Sequence, residues 1–214
     1  MKRAMRASEF LEQLAKDPEY QERARKRRAH LEARSAEWRR AQKPLLEDLA
    51  EVGYPISDVW DDLVPRSESY PEAIPVLVSH LVSRAYPSRV MEGIARALAV
   101  PESKPYFSQI LDVFKDSHTK DVRDGTAAAL RVLADSNTVP DLIRIIEDPA
   151  YGQDRLMFLD AAYKYGGAYG KRLVRSLIKD PELGEEARHI LRGVLTSVIA
   201  GSLVGGGEGR RRRR

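Results

Sequence analysis

Apolar residues recur along the middle of this chain at the spacing of amphipathic helices, and the pattern repeats every 32 residues. A shift of 32 residues aligns four segments without a gap. Three aligned positions are apolar in every segment and lie three and four residues apart, as on one face of a helix. They form the columns Val78, Ile110, Leu142, Val174; Leu81, Val113, Ile145, Leu177; and Val82, Phe114, Ile146, Ile178.

A second set of mostly apolar positions follows in each segment, so each segment predicts two helices. One column of this set is uniformly small, and small residues allow two helix backbones to approach closely: Ala97, Ala129, Ala161 and Gly193. The predicted pairs are 72–85 with 88–99, 104–116 with 120–134, 138–147 with 152–166, and 169–179 with 183–199. A fainter half-copy precedes them, with apolar residues at 45–50 and a short second helix at 57–63.

The connections between the helices also repeat. Asp116 and Asp148 lie 32 residues apart, and a proline follows Asp148, as it does the equivalent Asp180. Proline disfavours helix at the preceding residue and suits the start of the next element.

Four short motifs within the copies resemble HEAT repeats: Ala73-Ile74-Pro75-Val76-Leu77, Val139-Pro140-Asp141-Leu142-Ile143, Asp121-Val122-Arg123 and Ala127-Ala128-Ala129-Leu130. The resemblance covers about residues 71–199, with departures at Asp154-Arg155-Leu156 and Glu186-Ala187-Arg188. It implies a right-handed stack whose second helices line the concave side, and a role in binding proteins or, less often, nucleic acid. We therefore expect an all-α protein, an α-solenoid of four to five HEAT-like helix pairs over 44–204. A basic N-terminal helical extension over 1–43 and a flexible Gly/Arg tail over 205–214 complete the predicted organisation.

Arg123 and Arg155 follow Asp116 and Asp148 by seven residues. In related helical-repeat folds such Arg–Asp pairs join successive copies, and the resemblance implies that role here; the alternative is a ligand-binding role.

Charge is distributed unevenly along the chain. Residues 1–43 carry 13 Lys and Arg against 7 Asp and Glu, residues 44–209 carry 18 against 25, and residues 210–214 are five arginines. The net charge of +4 therefore comes from two basic ends around an acidic middle, unlike a uniformly basic nucleic-acid-binding domain. The chain has no cysteine, which excludes disulfides and cysteine-based metal sites. With no secretory signal or apolar run long enough to span a membrane, we expect a cytoplasmic protein.

The segment 19–43 predicts one long helix crowded with basic residues, after a short helix capped by Ser8 and a break at Asp17-Pro18. Its apolar residues form only a narrow stripe: Tyr20, Ala24, Leu31 and Trp38. One interpretation is a basic arm that contacts nucleic acid through Arg23, Lys26, Arg27 and Arg34. The others are a solvated helix whose stripe packs across the first helices, and an arm that folds back on the acidic copies.

The polar residues predict no catalytic chemistry, no metal and no cofactor. The four histidines, His30, His80, His118 and His189, have no ligand spacing and are interpreted as surface or loop residues. The glycine run at 205–209 lacks the ending of a phosphate-binding loop. HEAT-like alkylpurine DNA glycosylases are an enzymatic alternative that needs aromatic residues and a carboxylate in the concave cleft. Both tryptophans precede the four clear copies, which leaves Tyr163 as the suitably placed aromatic.

A binding surface is expected on the second helices, at positions that face away from the apolar stripes. These positions are Arg89, Glu92, Arg96, Asp124, Arg131, Asp160, Tyr163, Lys164, Arg188 and Arg192. Because they mix charge signs, they suit a protein partner better than a polyanion. The sequence thus favours a non-catalytic scaffold or adaptor that binds a protein of unknown identity. The alternatives are a nucleic-acid-binding protein that uses its basic ends and, more remotely, a glycosylase.

Overall fold

The computed structural model describes residue 14 and residues 16–193, and each regular element in these ranges is a helix. The predicted all-α class is therefore confirmed. The α-helices with both ends in the described residues are α1 (Pro18–Ala41), α2 (Lys43–Glu51), α3 (Val59–Asp62), α4 (Ala73–Ser83), α5 (Ser88–Ala97), α6 (Phe107–Asp116), α7 (Lys120–Leu133), α8 (Val139–Glu147), α9 (Leu159–Tyr165) and α10 (Gly167–Ser176). A further helix, α11, covers 184–193. Three 3₁₀ helices lie at Pro101–Tyr106, Pro149–Phe158 and Leu177–Lys179.

Helix α1 begins at the predicted break. The Asp17 carboxylate accepts hydrogen bonds from the backbone N–H of Glu19 at 2.9 Å and of Tyr20 at 3.3 Å, and Pro18 occupies the first turn. This arrangement satisfies two amides that a helix start leaves without partners. The short helix predicted from Ser8 and the tail at 205–214 lie outside the described residues.

Most of the predicted helix pairs are present. Helices α4 and α5 form the first pair, α6 and α7 the second, and α10 and α11 the fourth, while α2 and the short α3 occupy the half-copy. We call α2, α4, α6, α8 and α10 the first helices, and α3, α5, α7, α9 and α11 the second helices. No helix in the described part of the chain is long and apolar enough to cross a membrane.

The second helix of the third copy differs from the prediction, which placed one continuous helix at 152–166. The chain instead forms a 3₁₀ helix over Pro149–Phe158, interrupted at Gly152, and only then the short helix α9. Gly152 has φ 50° and ψ −129°, a backbone conformation that favours glycine. The Nε of Arg155 donates to the Gly152 carbonyl at 2.8 Å, which stabilises this bend.

The aligned apolar columns form most of the hydrophobic core. Val78, Ile110, Leu142 and Val174 are all buried, with relative exposures of 0–4%. In the small column, Ala97, Ala129 and Ala161 are buried as predicted, whereas Gly193 is exposed. Equivalent residues of successive copies therefore share an environment over most of the core, and one set of packing rules holds the copies together.

The third column is buried only in its two central members. Phe114 and Ile146 are buried, but Val82 and Ile178 are 46% and 37% exposed, so this apolar column faces the core only in the middle of the chain. The ring of Phe114 packs on those of Tyr151 and Phe158 from the following copy. Val82 is the equivalent of Phe114 one copy earlier, and the equivalents of Tyr151 and Phe158 are Thr119 and Thr126. The two threonines offer Val82 much less apolar surface than the two rings offer Phe114.

Glycines let the second helices of successive copies approach closely. Helices α5 and α7 share the most extensive contact between any two described helices. A Cβ atom at Gly125 of α7 would lie 2.8 Å from the backbone oxygen of Glu92 in α5. Gly93, one copy earlier, packs in the same way against Trp60, where a Cβ atom would lie 2.7 Å from the indole nitrogen.

Polar contacts also join residues about one copy apart. They are His80 Nε2 to Asp48 at 2.8 Å, Arg84 to Asp116 at 2.9 Å, Ser88 Oγ to Asp121 at 3.0 Å, Ser69 Oγ to Glu102 at 2.6 Å, Lys104 to Asp135, and Arg123 to Asp154 at 2.8 Å. The partners in each contact are separated by 31–33 residues along the chain. From the half-copy to the third copy, neighbours are therefore joined at the repeat distance by hydrogen bonds and ion pairs as well as by packing.

The Arg–Asp pairs that link copies have different partners from those expected. Arg123 donates from Nε to the Ser117 carbonyl at 2.8 Å and from Nη1 to Asp154 in the next copy, not to Asp116. Arg155 is 7% exposed and donates to Glu182 at 2.6 Å. Each arginine thus donates both to a backbone carbonyl in its own copy and to a carboxylate of the following copy.

The apolar columns generate a matched test of core packing. Ile146→Ala should lower the free energy of unfolding by about 2–5 kcal/mol, because Ile146 is 1% exposed and the removed atoms leave a cavity in the core. Ile178→Ala makes the same change at the equivalent but exposed position and should cost less than about 1 kcal/mol. Urea unfolding followed by circular dichroism measures both, and equal losses of stability would contradict the assignment of burial.

Acid should weaken one of the contacts between copies. The pKa of Asp135 is lowered from 3.8 to about 2 by the Lys104 ammonium and then by the backbone amides of Thr138 and Asn137. Below pH 3.8 the unfolded chain takes up a proton that the folded chain does not, so this contribution to stability declines from about pH 4 to pH 2. In the Asp135→Asn variant, the urea concentration at the midpoint of unfolding should therefore fall less steeply between about pH 4 and pH 2 than in the unmodified protein. The exposed Asp112→Asn is the control, and the same slope in both variants would refute the assignment.

Candidate functional site

Trp60 of α3 lies under two arginines of α5. The guanidinium carbon of Arg89 is 3.7 Å from the centre of the indole ring, and that of Arg96 is 5.6 Å away. The indole N–H donates to the Arg89 carbonyl at 3.0 Å. The absence of a side chain at Gly93 leaves room for the ring. The half-copy is therefore anchored to the first full copy by an aromatic ring that is covered on one face by Arg89.

Glu92 joins the two arginines from within. Its carboxylate accepts from Arg89 Nη1 at 2.8 Å and from Arg96 Nε at 2.9 Å. Glu92 is only 7% exposed, so it does not belong to the open binding face on which the sequence analysis placed it. A buried carboxylate shared by two cations leaves the cluster with one net positive charge, carried by arginines that are about one-third exposed or more.

A cleft of about 380 Å³ opens beside this cluster, between the end of α1 and the second helices. Its lining includes both tryptophans, Trp38 and Trp60, together with Arg39, Arg89 and Asp61. Because Arg89 covers one face of the Trp60 ring, a ligand ring could stack on that face only by displacing the guanidinium. Asp61 lines this cleft, and the carboxylate of the neighbouring Asp62 accepts hydrogen bonds from the backbone amides of Ser57 and Asp58.

A groove of about 470 Å³ continues across the second helices from Arg96. Its polar members are Arg96, Arg131, Asp160 and Lys164, all predicted binding residues. The rest of its lining is small or apolar: Ala99, Ala128, Val132, Met157, Ala161 and Tyr165. A hydrogen bond with the Tyr165 side chain raises the pKa of Lys164, so this ammonium already has a polar partner within the groove. The groove thus combines an apolar floor with a mainly cationic rim.

Arg131 and Asp160 also line a second groove of about 380 Å³, together with Tyr163, Glu186 and His189. The Trp60 cluster and the two grooves therefore form one continuous band, which we call the second-helix surface. Its members are Trp60, Arg89, Arg96, Arg131, Asp160, Tyr163, Lys164, Glu186 and His189.

Besides the buried Glu92, three predicted binding residues line neither the cleft nor the two grooves. Asp124 accepts from Lys120 Nζ at 2.6 Å. Arg188 donates to the Ile178 carbonyl at 2.5 Å, and Arg192 Nε donates to the Arg188 carbonyl at 3.3 Å. These side chains stabilise their own helices or nearby turns.

Helix α1 exposes most of its length. It contains no buried residue, and Tyr20 and Leu31 of its apolar stripe are 40% and 51% exposed. Trp38, near its end, packs against the core, so the stripe contacts the copies only there. The four residues predicted to contact nucleic acid are all exposed: Arg23, Lys26, Arg27 and Arg34. Lys26 pairs with Glu22 at 3.5 Å, and Arg34 lies 5.0 Å above the Trp38 ring.

His80 differs from its interpretation as a surface residue. Its side chain is 14% exposed and lies between Asp48, at 2.8 Å from Nε2, and the Tyr86 hydroxyl, at 2.5 Å from Nδ1. It therefore links two copies, while His30, His118 and His189 are exposed as expected. Among residues 16–193, no group of three or more His, Asp and Glu side chains could hold a metal ion.

Trp60 was not predicted as a site residue, because both tryptophans precede the four clear copies. The structure places it at the centre of the cluster that starts the second-helix surface. The repeat contains a usable signal for this role, because Trp60 lies 32 residues before Glu92 and 64 before Asp124, two predicted binding positions.

Comparisons with known proteins identify no relative. No protein-family model matches the chain, and no curated protein or solved structure shows significant similarity to it.

Glu92 gives a test of the Trp60 cluster. Glu92→Gln keeps the shape of the side chain but removes the charge shared by Arg89 and Arg96, so unfolding should become easier by roughly 1–3 kcal/mol. The exposed Asp112→Asn removes a carboxylate elsewhere and should change stability by less than about 0.5 kcal/mol. Urea unfolding monitored by tryptophan fluorescence measures both, and a Glu92→Gln variant as stable as the control would refute the cluster.

Proposed function

We propose that this chain is a HEAT-like α-solenoid that binds a protein partner without catalysing a reaction. The stacked arrangement is supported by polar contacts between residues 31–33 positions apart and by equivalent glycines, Gly93 and Gly125, that each accept the preceding second helix. Stacked helix pairs bury their apolar stripes against neighbours and leave an extended side free for binding.

The continuous second-helix surface is the observation that carries the function. Partly or fully exposed polar and aromatic side chains from α3, α5, α7, α9 and α11 line adjoining depressions there. Within the described residues, neither Arg131 nor Lys164 has a carboxylate within 4.0 Å, and Lys164 bonds instead to the Tyr165 side chain. Arginine beside apolar and aromatic groups is typical of protein interfaces.

The alternation of charge along this surface favours a protein over a polyanion. Arg96 and Arg131 lie beside Asp160, and Glu186 lines the next groove. A phosphate backbone would meet these carboxylates unfavourably, whereas a protein can place complementary charges opposite both signs.

Affinity capture with surface variants tests this function. The full chain, used as bait in a nuclease-treated lysate of its native cell, should capture a protein that Arg131→Ala with Tyr163→Ala no longer captures. Lys115→Ala with Arg175→Ala, on exposed positions of first helices, is the matched control and should keep the partner. Equal capture by both double variants, or recovery of nucleic acid alone from an untreated lysate, would contradict the proposal.

A second candidate function is nucleic-acid binding through α1, favoured by the exposure of Arg23, Lys26, Arg27 and Arg34 along a helix without buried residues. An exposed basic helix can contact phosphates without any change in the copies, so the two functions are compatible.

Salt dependence tests this second function. Anisotropy of a labelled DNA duplex should report an affinity that falls steeply with salt. Alanine at the four α1 positions should reduce the logarithmic slope by about 0.9 for each phosphate that the protein no longer neutralises. Removal of residues 210–214 is the control, because it deletes five arginines at the other end. An affinity indifferent to salt would reject the function, and weaker binding only in the tail deletion would reject the role of α1.

A further inference from the structure

The groove at Arg96, Arg131 and Lys164 has a composition that indicates the chemistry of its occupant. Three cationic groups stand on its rim against one carboxylate, that of Asp160. Arg96 already donates to the buried Glu92, whereas the described residues place no carboxylate within 4.0 Å of Arg131 or Lys164. The rim therefore presents two cations, Arg131 and Lys164, that have no ion-pair partner among the described residues.

The floor of the same groove is apolar. Ala99, Ala128 and Ala161 have short side chains, so the floor is low there, and Val132 beside them is 49% exposed. Met157, half-buried, adapts easily to the shape of an apolar ligand. This floor can accommodate an aliphatic side chain but provides no stack of aromatic rings for bases.

We propose that this groove binds an acidic peptide segment of a partner protein, with an aliphatic side chain on the alanine floor and carboxylates at Arg131 and Lys164. The proposal rests on the protein-binding function and specifies the segment that the second-helix surface recognises. A peptide supplies carboxylates and an aliphatic anchor together, whereas a nucleic acid supplies only the anionic part. The terminal run 210–214 of this chain has the wrong charge to be the occupant.

Arg131 and Lys164 also permit a clean experiment. Both side chains are exposed, so charge reversal at these positions should leave the fold intact. Lys115 and Arg175 are exposed cations on first helices, away from the groove, and provide the same change in net charge.

The test measures the anisotropy of a short fluorescein-labelled peptide of aspartate and glutamate with a central leucine pair, titrated with the full chain. Arg131→Glu with Lys164→Glu should weaken binding roughly tenfold or more, while Lys115→Glu with Arg175→Glu should change it little. Ala128→Gln, which fills the floor without a change of charge, should also weaken binding, as should serine in place of the leucines. Circular dichroism and urea unfolding confirm that each variant is folded.

Three outcomes would overturn the proposal. If both double charge reversals weakened peptide binding equally, the binding would depend only on the net charge of the protein. Tighter binding of an oligothymidine of matched length would assign the groove to nucleic acid. Tighter peptide binding after removal of residues 1–13, which contain Glu9-Phe10-Leu11-Glu12, would assign it to a segment of this chain. A captured partner that depends on Tyr163 but not on Arg131 or Lys164 would refute this groove assignment and leave the protein-binding function intact.

Discussion

The burial of apolar surface between successive copies is the constraint on which the rest of this structure depends. A single helix pair with two apolar stripes cannot bury both by itself, so it must pack against the next pair. The closest approach joins α5 to α7, where Gly125 brings the two backbones together. Phe114 and its contacts with Tyr151 and Phe158 continue this packing into the third copy. Hydrogen bonds at the repeat distance then fix the register between neighbours.

The same constraint determines where binding can occur. Because the apolar stripes are used between helices, the remaining sides of the second helices carry the polar and aromatic residues. Buried Glu92 holds Arg89 and Arg96 against Trp60, so this end of the surface is ordered before any partner arrives. Arg131 and Lys164 have no carboxylate partner within 4.0 Å in the described part of the chain, and Lys164 bonds to Tyr165. Arg89 and Arg96 therefore stabilise the fold through Glu92, whereas Arg131 and Lys164 are the cations that can pair with carboxylates of a partner.

The repeat predicted the helices and much of the core from the sequence because packing repeats with the same period as the residues. The repeat predicted burial and helix bounds less well where neighbouring copies differ. Val82 is exposed because the next copy has threonines at the positions where a later copy has aromatic rings. Gly152 interrupts a predicted helix although the apolar spacing continues past it. Partners of charged residues were also harder to predict. Arg123 bonds to Asp154 rather than Asp116, since a flexible side chain can reach either copy and only its packed position decides. Five of the predicted binding residues line the two grooves. Glu92, also predicted to be on this surface, is buried in the cluster around Trp60, which lies outside the clearest copies.

Distances between equivalent positions test the stacked arrangement most directly. Because the chain has no native cysteine, pairs of cysteines can carry spin labels at exposed positions one, two and three copies apart: Ser83 with Lys115, Lys115 with Lys179, and Ser83 with Lys179. Packed helices lie about 8–10 Å apart, so the pulsed EPR distances should grow with each copy in that order. A distance between positions 83 and 179 no longer than that between 83 and 115 would show a closed bundle and contradict the stack.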